Sequence, residues 1–225
     1  MTPAQTLTLA SAALLLIASH RTSSGAVEDG SVLGVFDLAA LVDNAQTVMN
    51  LLTEQPAGVD TQTAWRNVQA FLAMLRSSEG TAGAGDPYRV VYGYGVALKD
   101  LSGHPVDTGE WRGVTLPDGM CALAGFGPGC KSTAAGAYQI IRPTWRSVSA
   151  ALDLPDFGPA SQDAAAIELI RRRGALSDVQ GGRLVDAVAK VAPEWASLPG
   201  NAARQGQRSI TQLAAWFGQA GGTAA

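Results

Sequence analysis

The amino-acid sequence predicts an α+β fold that is mainly α, and three observations support this prediction. Apolar residues recur at helical spacing in several stretches that begin at a capping residue or a proline and end near a glycine. A short stretch rich in valine and tyrosine, "YRVVYGYGVALKDL" (88–101), predicts a small β-hairpin region between residues 88 and 116. The 225 residues are 47% hydrophobic and 16% charged, which is enough for one well-buried core with an appendage.

The chain begins with an uncharged segment, "TPAQTLTLASAALLLIAS" (2–19). Its strongly apolar part is short of the roughly 20 residues that span a bilayer, and no basic residue precedes it. Three interpretations of residues 1–26 stay open. This segment is a weak signal or signal-anchor, an apolar helix docked into a larger assembly, or an ordinary buried helix.

A second helical segment follows within residues 27–60. Asp37 can cap its start, Pro56 follows its end, and an apolar stripe runs from Leu38 to Leu52. This stripe needs a partner surface, either in the same domain or on another subunit. "QPAGVDTQT" (55–63) is typical of a linker, so we place a boundary near residue 60 and expect one domain over 61–225.

The third helix carries the first candidate catalytic residue. Asp60 or Thr61 can cap it, and its inward residues are Trp65, Val68, Phe71, Leu72 and Leu75. The carboxylate Glu79 ends this apolar stripe, just before Gly80. Burial and the negative end of the helix dipole both raise the pKa of a carboxyl group. A carboxylic acid that keeps its proton near neutral pH suits glycosidic-bond cleavage, whereas the alternative is a solvated glutamate at a helix end.

Three further segments complete the predicted helices. Gly158 and Pro159 begin a helix that stops at Gly174. The stretch "GRLVDAVAKVAPEWASL" (182–198) holds an apolar face, and "RSITQLAAWFGQAGG" (208–222) ends in glycines. The apolar face of 182–198 consists of Leu184, Val188, Val191 and Trp195.

Charge and composition exclude several functions. Net charge is −3, with −5 over residues 1–64 and +2 over residues 65–225. A surplus of +2 is too small to indicate a nucleic-acid partner. The sequence has no zinc-ligand spacing and no phosphate-binding glycine loop, so it predicts neither a metal nor a cofactor.

One motif in the middle of the chain relates it to a known family. "KSTAAGAYQIIRPTWRSV" (131–148) follows the "SEGT" of 78–81 by about the spacing seen in lambda-type phage endolysins, which belong to the lysozyme-like superfamily. Over roughly residues 65–222 the chain resembles these endolysins. The shared stretches are "FLAMLRSSEGT", "GHP" (103–105), "KSTAAGAYQ", "LDLPDFGPASQDAAAIELIRRRGAL" (152–176), "EWASLPG" (194–200) and "AGG" (220–222).

The resemblance implies a lysozyme-like fold and assigns site residues. Glu79 becomes the general acid and base, and Thr133, Tyr138 and Gln139 become residues of a sugar-binding cleft. A glutamine side chain donates and accepts hydrogen bonds, and a tyrosine offers an apolar ring face with a polar tip. The alternative for Tyr138 and Gln139 is a structural turn beside the core.

The resemblance also implies a reaction, that of a peptidoglycan lytic transglycosylase. Such an enzyme cleaves the bond between N-acetylmuramic acid and N-acetylglucosamine with one glutamate and leaves a 1,6-anhydro sugar, without metal or cofactor. A hydrolytic muramidase with Asp86 or Asp100 as second carboxylate is the alternative chemistry, although either side chain could face solvent. Another alternative is a phage tail or injection protein that retains the fold.

Where the protein acts stays open between two places. The expected partner is the glycan strand of peptidoglycan. The protein either acts in the bacterial periplasm or cell envelope, or is carried in the tail of a phage virion. Residues 1–60 could bind phage tail proteins or the inner membrane.

The sequence departs from the family pattern in two regions. Residues 1–64 are additional, and the loop "TLPDGMCALAGFGPGCKST" (115–133) is expanded and holds both cysteines. Cys121 and Cys130 form either a disulfide, as expected in an oxidising compartment, or two unpaired thiols. His104 in "GHP" is interpreted as a structural histidine at a hairpin end.

Overall fold

The computed structural model describes residues 55–201 and 206–225, which include nearly all of the predicted 61–225 domain. The predicted helices of segments 1–26 and 27–60 lie outside these residues. The described residues form α1 (Thr61–Ser78), α2 (Pro105–Thr108), β1 (Val114–Thr115), α3 (Asp118–Leu123), β2 (Lys131–Ser132), α4 (Arg142–Leu152), α5 (Pro159–Arg172), α6 (Leu176–Gln180), α7 (Leu184–Val191) and α8 (Ile210–Gln219). Helices dominate, with one very small sheet, and this confirms the predicted fold class.

Helix α1 lies at the centre of the fold, packed against α5, α6 and α8. The Asp60 side chain accepts a hydrogen bond from the backbone N–H of Thr63 at 2.9 Å and caps the helix start, as predicted. The predicted inward residues Val68, Phe71, Leu72 and Leu75 are fully buried. Helix α1 ends at Ser78, so Glu79 is the capping residue just beyond it rather than the last helical residue.

The β-structure is smaller than the sequence predicts and lies partly elsewhere. The one sheet among the described residues pairs β1 with β2 antiparallel, with Val114 opposite Ser132. The predicted hairpin of 88–101 contracts to a single bridge between Val90 and Ala97. The backbone of this stretch also forms a hydrogen bond with a distant segment, because the N–H of Tyr92 donates to the carbonyl of Ala134 at 2.9 Å. The valine-rich stretch therefore pairs with itself at only this one bridge and also pairs with a distant segment.

Cys121 and Cys130 form a disulfide, with their Cα atoms 5.7 Å apart. The bridge joins helix α3 to the residue just before β2. The N–H of Leu116 donates to the carbonyl of Cys130 at 2.9 Å, so a backbone bond closes the same loop. Of the two interpretations of the cysteine loop, the structure thus contains the disulfide.

We expect thiol titration of the unreduced, denatured protein to find no free thiol. Removing the bridge with a double Cys121→Ser, Cys130→Ser variant should lower the free energy of unfolding by about 2–3 kcal/mol, because so short a loop constrains the unfolded chain only modestly. Denaturant titration measures that loss. Two titratable thiols per chain, in protein purified from an oxidising compartment, would contradict the bridge.

The C-terminal helices follow the prediction with one difference. Helix α5 begins at Pro159 and Gly174 follows its end, as predicted. Helix α7 ends at Val191, so Trp195 lies in the turn after it, where it remains buried. Among residues 55–201 and 206–225, no helix has both the length and the apolar character needed to cross a membrane.

Candidate active site

Glu79 sits where helix α1 ends, with its carboxyl group partly buried. Its Oε1 accepts a hydrogen bond from the hydroxyl of Ser197 at 2.6 Å. The Ser197 hydroxyl also bonds to the buried hydroxyl of Ser78 at 2.7 Å. Because Ser197 donates its single proton to Glu79, Ser78 is the donor in the second bond. Ser197, which is itself bonded to Ser78, holds one carboxyl oxygen, and this leaves Oε2 for a proton and a substrate atom.

The surroundings of Glu79 shift its proton affinity in opposing directions. Burial raises the pKa of Glu79, and this effect is the largest. The hydrogen bonds from Ser197 and the positive charge of Arg208 act against it and lower the pKa. The net shift is upward, as the position of Glu79 in the sequence predicts. The carboxyl group therefore holds its proton to higher pH than an exposed glutamate.

A tight turn after Glu79 orients the site. Gly80 has a φ of +78°, and a Cβ there would lie 2.7 Å from the hydroxyl oxygen of Tyr94. That hydroxyl donates a hydrogen bond to the carbonyl of Glu79. Thr81, one residue further, is buried and donates from its hydroxyl to the carbonyl of Ala137 at 2.7 Å. The turn is thus attached to residues 133–140, the segment that the family resemblance assigns to sugar binding.

The 133–140 segment is held from several sides. Gly136 has a φ of +76°, and a Cβ there would lie 2.1 Å from Oε1 of Gln162. The same Gln162 oxygen accepts the N–H of Ala137 at 2.8 Å. The indole N–H of Trp195 donates to the carbonyl of Tyr138 at 3.0 Å. Since Thr81 and Trp195 each stand two residues from a member of the Glu79–Ser197 pair, this segment lies beside the catalytic candidate.

Two of the three predicted sugar-binding residues remain accessible. Thr133 is half-buried, and its hydroxyl oxygen accepts the N–H of Arg142 at 3.1 Å. Gln139 is half-buried in the left-handed region at a φ of +49°, and its amide nitrogen donates to the carbonyl of Gly136 at 3.0 Å. The hydroxyl proton of Thr133 and the side-chain carbonyl of Gln139 stay available to a ligand.

The third residue, Tyr138, differs from its predicted role. Its side chain is fully buried, so its ring presents no face to a sugar. The hydroxyl donates to Asp163 Oδ1 at 2.5 Å and accepts from the guanidinium of Arg76 at 2.7 Å. The alternative of a structural turn beside the core therefore applies to Tyr138. Its task is to anchor the 133–140 segment to α1 and α5.

A half-buried polar network surrounds that tyrosine, and no pattern in the sequence indicated it. Asp163 accepts a second hydroxyl, from Tyr88, at 3.0 Å, and Arg76 lies 3.9 Å from the same oxygen. Burial raises the pKa of Asp163, while the two tyrosine hydroxyls and Arg76 oppose the rise. Arg76 comes one turn before Glu79 on α1. The network thus fixes the 133–140 segment relative to the helix that ends next to Glu79.

The alternative carboxylates stand in local turns. Asp86 is exposed, accepts the N–H of Tyr88 at 3.0 Å and pairs with Arg89 at 3.2 Å. Asp100 is exposed and accepts the N–H of Ser102 at 2.8 Å. Both carboxylates face solvent, which is one of the two possibilities given for them above.

His104 is structural, as predicted. It is buried, with its ring edge-on to Phe157 at 5.2 Å between centroids. Its Nδ1 accepts the N–H of Val106 at 3.3 Å, so Nε2 carries the proton and donates to the carbonyl of Ile140 at 3.3 Å. Burial lowers the pKa of His104, so the ring stays neutral at neutral pH.

Ser197 and Arg208 are the site residues that sequence reasoning did not single out. Ser197 lies in the "EWASLPG" stretch, whose similarity to the family carried the only available signal. No spacing or motif in the sequence indicates that Arg208 lies near Glu79. Across residues 55–201 and 206–225, no group of three or more histidine, cysteine, aspartate or glutamate side chains is placed to hold a metal ion.

Comparison with known proteins gives a consistent result. A family model described as Endolysin matches residues 69–224. The endolysin of Escherichia phage P2 is 40% identical over 160 residues, which are 71% of this chain and 96% of that protein. The endolysin of Escherichia phage lambda is 36% identical over 160 residues, 69% of this chain and 91% of that protein.

A solved structure agrees with these sequence matches. The structure of bacteriophage lambda lysozyme complexed with a chitohexasaccharide superposes with a TM-score of 0.59 at 34% identity. The match covers 71% of this chain and 97% of the lysozyme.

Proposed function

The chain belongs to the endolysin family of phage peptidoglycan-degrading enzymes, and we propose that its reaction is lytic transglycosylation with Glu79 as the one catalytic carboxyl group. The observation that carries this proposal is the set of groups around Glu79. Among the described residues these are the hydroxyl of Ser197, which is bonded to Ser78, and the guanidinium of Arg208, while Asp86 and Asp100 are exposed and bonded within their own turns. A two-carboxylate glycosidase needs its second acid about 5–10 Å away.

In the first step, protonated Glu79 donates from Oε2 to the glycosidic oxygen between N-acetylmuramic acid and N-acetylglucosamine. The bond from C1 to that oxygen breaks, and the sugar at C1 takes on oxocarbenium character. Ser197 keeps Oε1 in place, so the proton-bearing oxygen faces the leaving group. The raised pKa of Glu79 maintains the protonated form that this step consumes.

In the second step, the Glu79 carboxylate takes the proton from the C6 hydroxyl of the same muramoyl residue. The C6 oxygen then bonds to C1 and forms the 1,6-anhydro ring. Glu79 is protonated again, and no water is consumed. One carboxyl group serves both steps because the nucleophile belongs to the substrate.

The accessible groups of the 133–140 segment would hold the glycan. The Thr133 hydroxyl and the Gln139 amide carbonyl match the hydroxyl and N-acetyl groups of amino sugars. The chitohexasaccharide bound by lambda lysozyme, an oligomer of N-acetylglucosamine, supports a glycan strand as the ligand. The Cys121–Cys130 disulfide supports action in an oxidising compartment such as the bacterial periplasm.

Product analysis in isotopic water tests the reaction. Purified peptidoglycan digested by the full chain in H₂¹⁸O should yield muropeptides that end in 1,6-anhydromuramic acid and carry no ¹⁸O, because water does not attack C1. Mass spectrometry separates these products from reducing-end muramic acid, which is one water heavier. A hydrolytic muramidase run in parallel gives the labelled reducing end.

Labelled reducing ends as the main product of this protein would reject transglycosylation and revive the two-carboxylate alternative. Asp86→Asn and Asp100→Asn variants then serve as the discriminating pair. Both should retain near-normal activity under the proposed reaction, because each carboxylate serves only a local turn.

A further inference from the structure

Building on the single-carboxyl reaction, we propose that Arg208 is a positioning residue of this site, which holds Ser197 against Glu79 and stabilises the carboxylate left after the first proton transfer. Arg208 lies outside the motifs that the family resemblance identifies. Three contacts fix it beside Glu79, one from its backbone and two from its guanidinium group.

The backbone contact of Arg208 acts on Ser197. The Arg208 N–H donates to the carbonyl of Ser197 at 2.8 Å and joins the start of the last segment to the turn that carries the serine. Ser197 is buried, and its hydroxyl reaches Glu79 Oε1 at 2.6 Å. The arginine thus braces the backbone of the residue that orients the catalytic carboxyl group.

The side chain of Arg208 acts on the other neighbour of Glu79. Its Nε donates to the carbonyl of Ser78 at 3.3 Å, and its guanidinium lies 5.9 Å from the ring centre of Trp216 on α8. The carbonyl and the aromatic face both favour a cation at this position. The positive charge is therefore held at the C-terminal end of α1, next to Glu79.

Among the residues that the structure describes, two titratable side chains interact with Glu79. Arg208 is the charged group that lowers the pKa of Glu79. Tyr94 is the other titratable group in contact, and burial raises its pKa, so it is neutral at the pH of the reaction. Ser78 and Ser197 carry no charge. Of the charges on the described residues, Arg208 is thus the one that stabilises the Glu79 carboxylate.

The proposed reaction requires Glu79 to change its protonation state twice, and the position of Arg208 suits this requirement. Glu79 must begin protonated, then exist as a carboxylate while C1 carries positive character, and then regain a proton. Burial alone would keep the acid protonated but would make it a weak donor. A fixed cation beside the carboxyl group moderates that effect, so both proton transfers proceed on one residue.

Arg208→Gln and Arg208→Met in the full chain test the proposal, and methionine preserves an unbranched apolar stem beside Trp216. Without the positive charge the pKa of Glu79 rises, so the alkaline limb of the kcat/KM profile moves to higher pH. The plateau rate falls on the order of tenfold, because the carboxylate loses the nearby positive charge that stabilises it. Arg208→Lys keeps the charge and should restore the wild-type limb.

Arg66→Gln is the matched control. It also removes one positive charge, from α1 itself, but 13 residues and about 20 Å before Glu79. Its alkaline limb should coincide with the wild-type limb. Carbon-13 NMR titration of the Glu79 carboxyl reads the same shift without turnover.

Two results would overturn the role of Arg208. One is an unchanged alkaline limb in both neutral variants, and the other is an equal shift in Arg66→Gln. These outcomes are separate from failure of transglycosylation, because wild-type products report on that reaction. Anhydro products with an unmoved limb reject Arg208 alone. Reducing-end products reject the reaction whatever the variants do.

Discussion

A Glu79→Gln variant is expected to lose at least about 10²–10⁴-fold in turnover of purified peptidoglycan, the range that general acid–base catalysis contributes. Glutamine keeps the shape of the side chain, and its carbonyl oxygen can still accept the hydroxyl of Ser197. It can neither donate a proton to the glycosidic oxygen nor accept one from the C6 hydroxyl. Release of soluble muropeptides measures the loss.

The fold of Glu79→Gln should survive, and the sign of the stability change follows from the pKa of Glu79. Burial raises that pKa above its unfolded value. Ionisation is therefore harder in the folded protein, and this costs stability as pH rises through the unfolded pKa towards the folded one. Glutamine has no such cost, so the melting temperature at neutral pH should hold or rise while turnover collapses.

A control variant shows whether the loss of activity is specific to Glu79 or follows from any carboxylate-to-amide substitution. Asp86→Asn makes the same chemical change at an exposed turn and should leave turnover near normal. Near-normal activity in Glu79→Gln would instead reject the site. The alternative of a phage structural protein that retains the fold would then become the better interpretation.

A Gly136→Ala variant is expected to lose about 2–5 kcal/mol of unfolding free energy. The left-handed backbone at a φ of +76° costs a non-glycine residue about 1–2 kcal/mol. Displacing Gln162, whose oxygen lies 2.1 Å from the new Cβ, costs a further 1–3 kcal/mol or so. Denaturant titration measures the change, and the melting temperature should fall by about 2–4 °C for each kcal/mol.

Gly136→Ala should also lower activity beyond its effect on stability. Gln162 holds the N–H of Ala137, and the neighbouring carbonyl groups are bonded to Thr81 and Trp195. A shift of this turn moves Gln139 relative to Glu79. KM for glycan strands should rise even at temperatures where the variant is fully folded.

Gly85→Ala is the matched control for this prediction. Gly85 is exposed, has no positive φ, and a Cβ there would meet no atom within 4 Å. Alanine should leave stability unchanged or raise it by roughly 0.4–1 kcal/mol, because the unfolded chain loses freedom. Equal stability of the two alanine variants would contradict the packing around Gly136.

Local sequence patterns determined much of the fold. The Asp60 cap, the buried face of α1, the proline that begins α5 and the glycine that follows it were all predictable. They depend on interactions between residues three or four apart, which a helix makes regardless of its surroundings. The apolar stripe of α1 predicted the position of Glu79 at the end of that helix and the rise of its pKa, and the resemblance to endolysins is confirmed at the level of the family.

The β-region shows where local pattern fails. The valines of 88–101 have a strand composition, but their backbone groups bond to residues near Ala134. Strand propensity describes a side chain that fits a pleated surface and does not identify the partner strand. The small β1–β2 sheet likewise forms across the disulfide loop, outside most of the predicted hairpin region.

The tertiary structure alone decided what surrounds the catalytic candidate. Ser197 and Arg208 reach Glu79 from more than a hundred residues away, and no periodicity relates them to it. Tyr138 has the same residue type and motif position whether it faces a sugar or the core, and only the placement of Asp163 and Arg76 buries its hydroxyl. A sequence pattern indicates on which face of its own helix or turn a side chain lies. The proton affinity of Glu79 and the accessibility of Tyr138 depend on which distant groups fold against them, so they are properties of the packed chain.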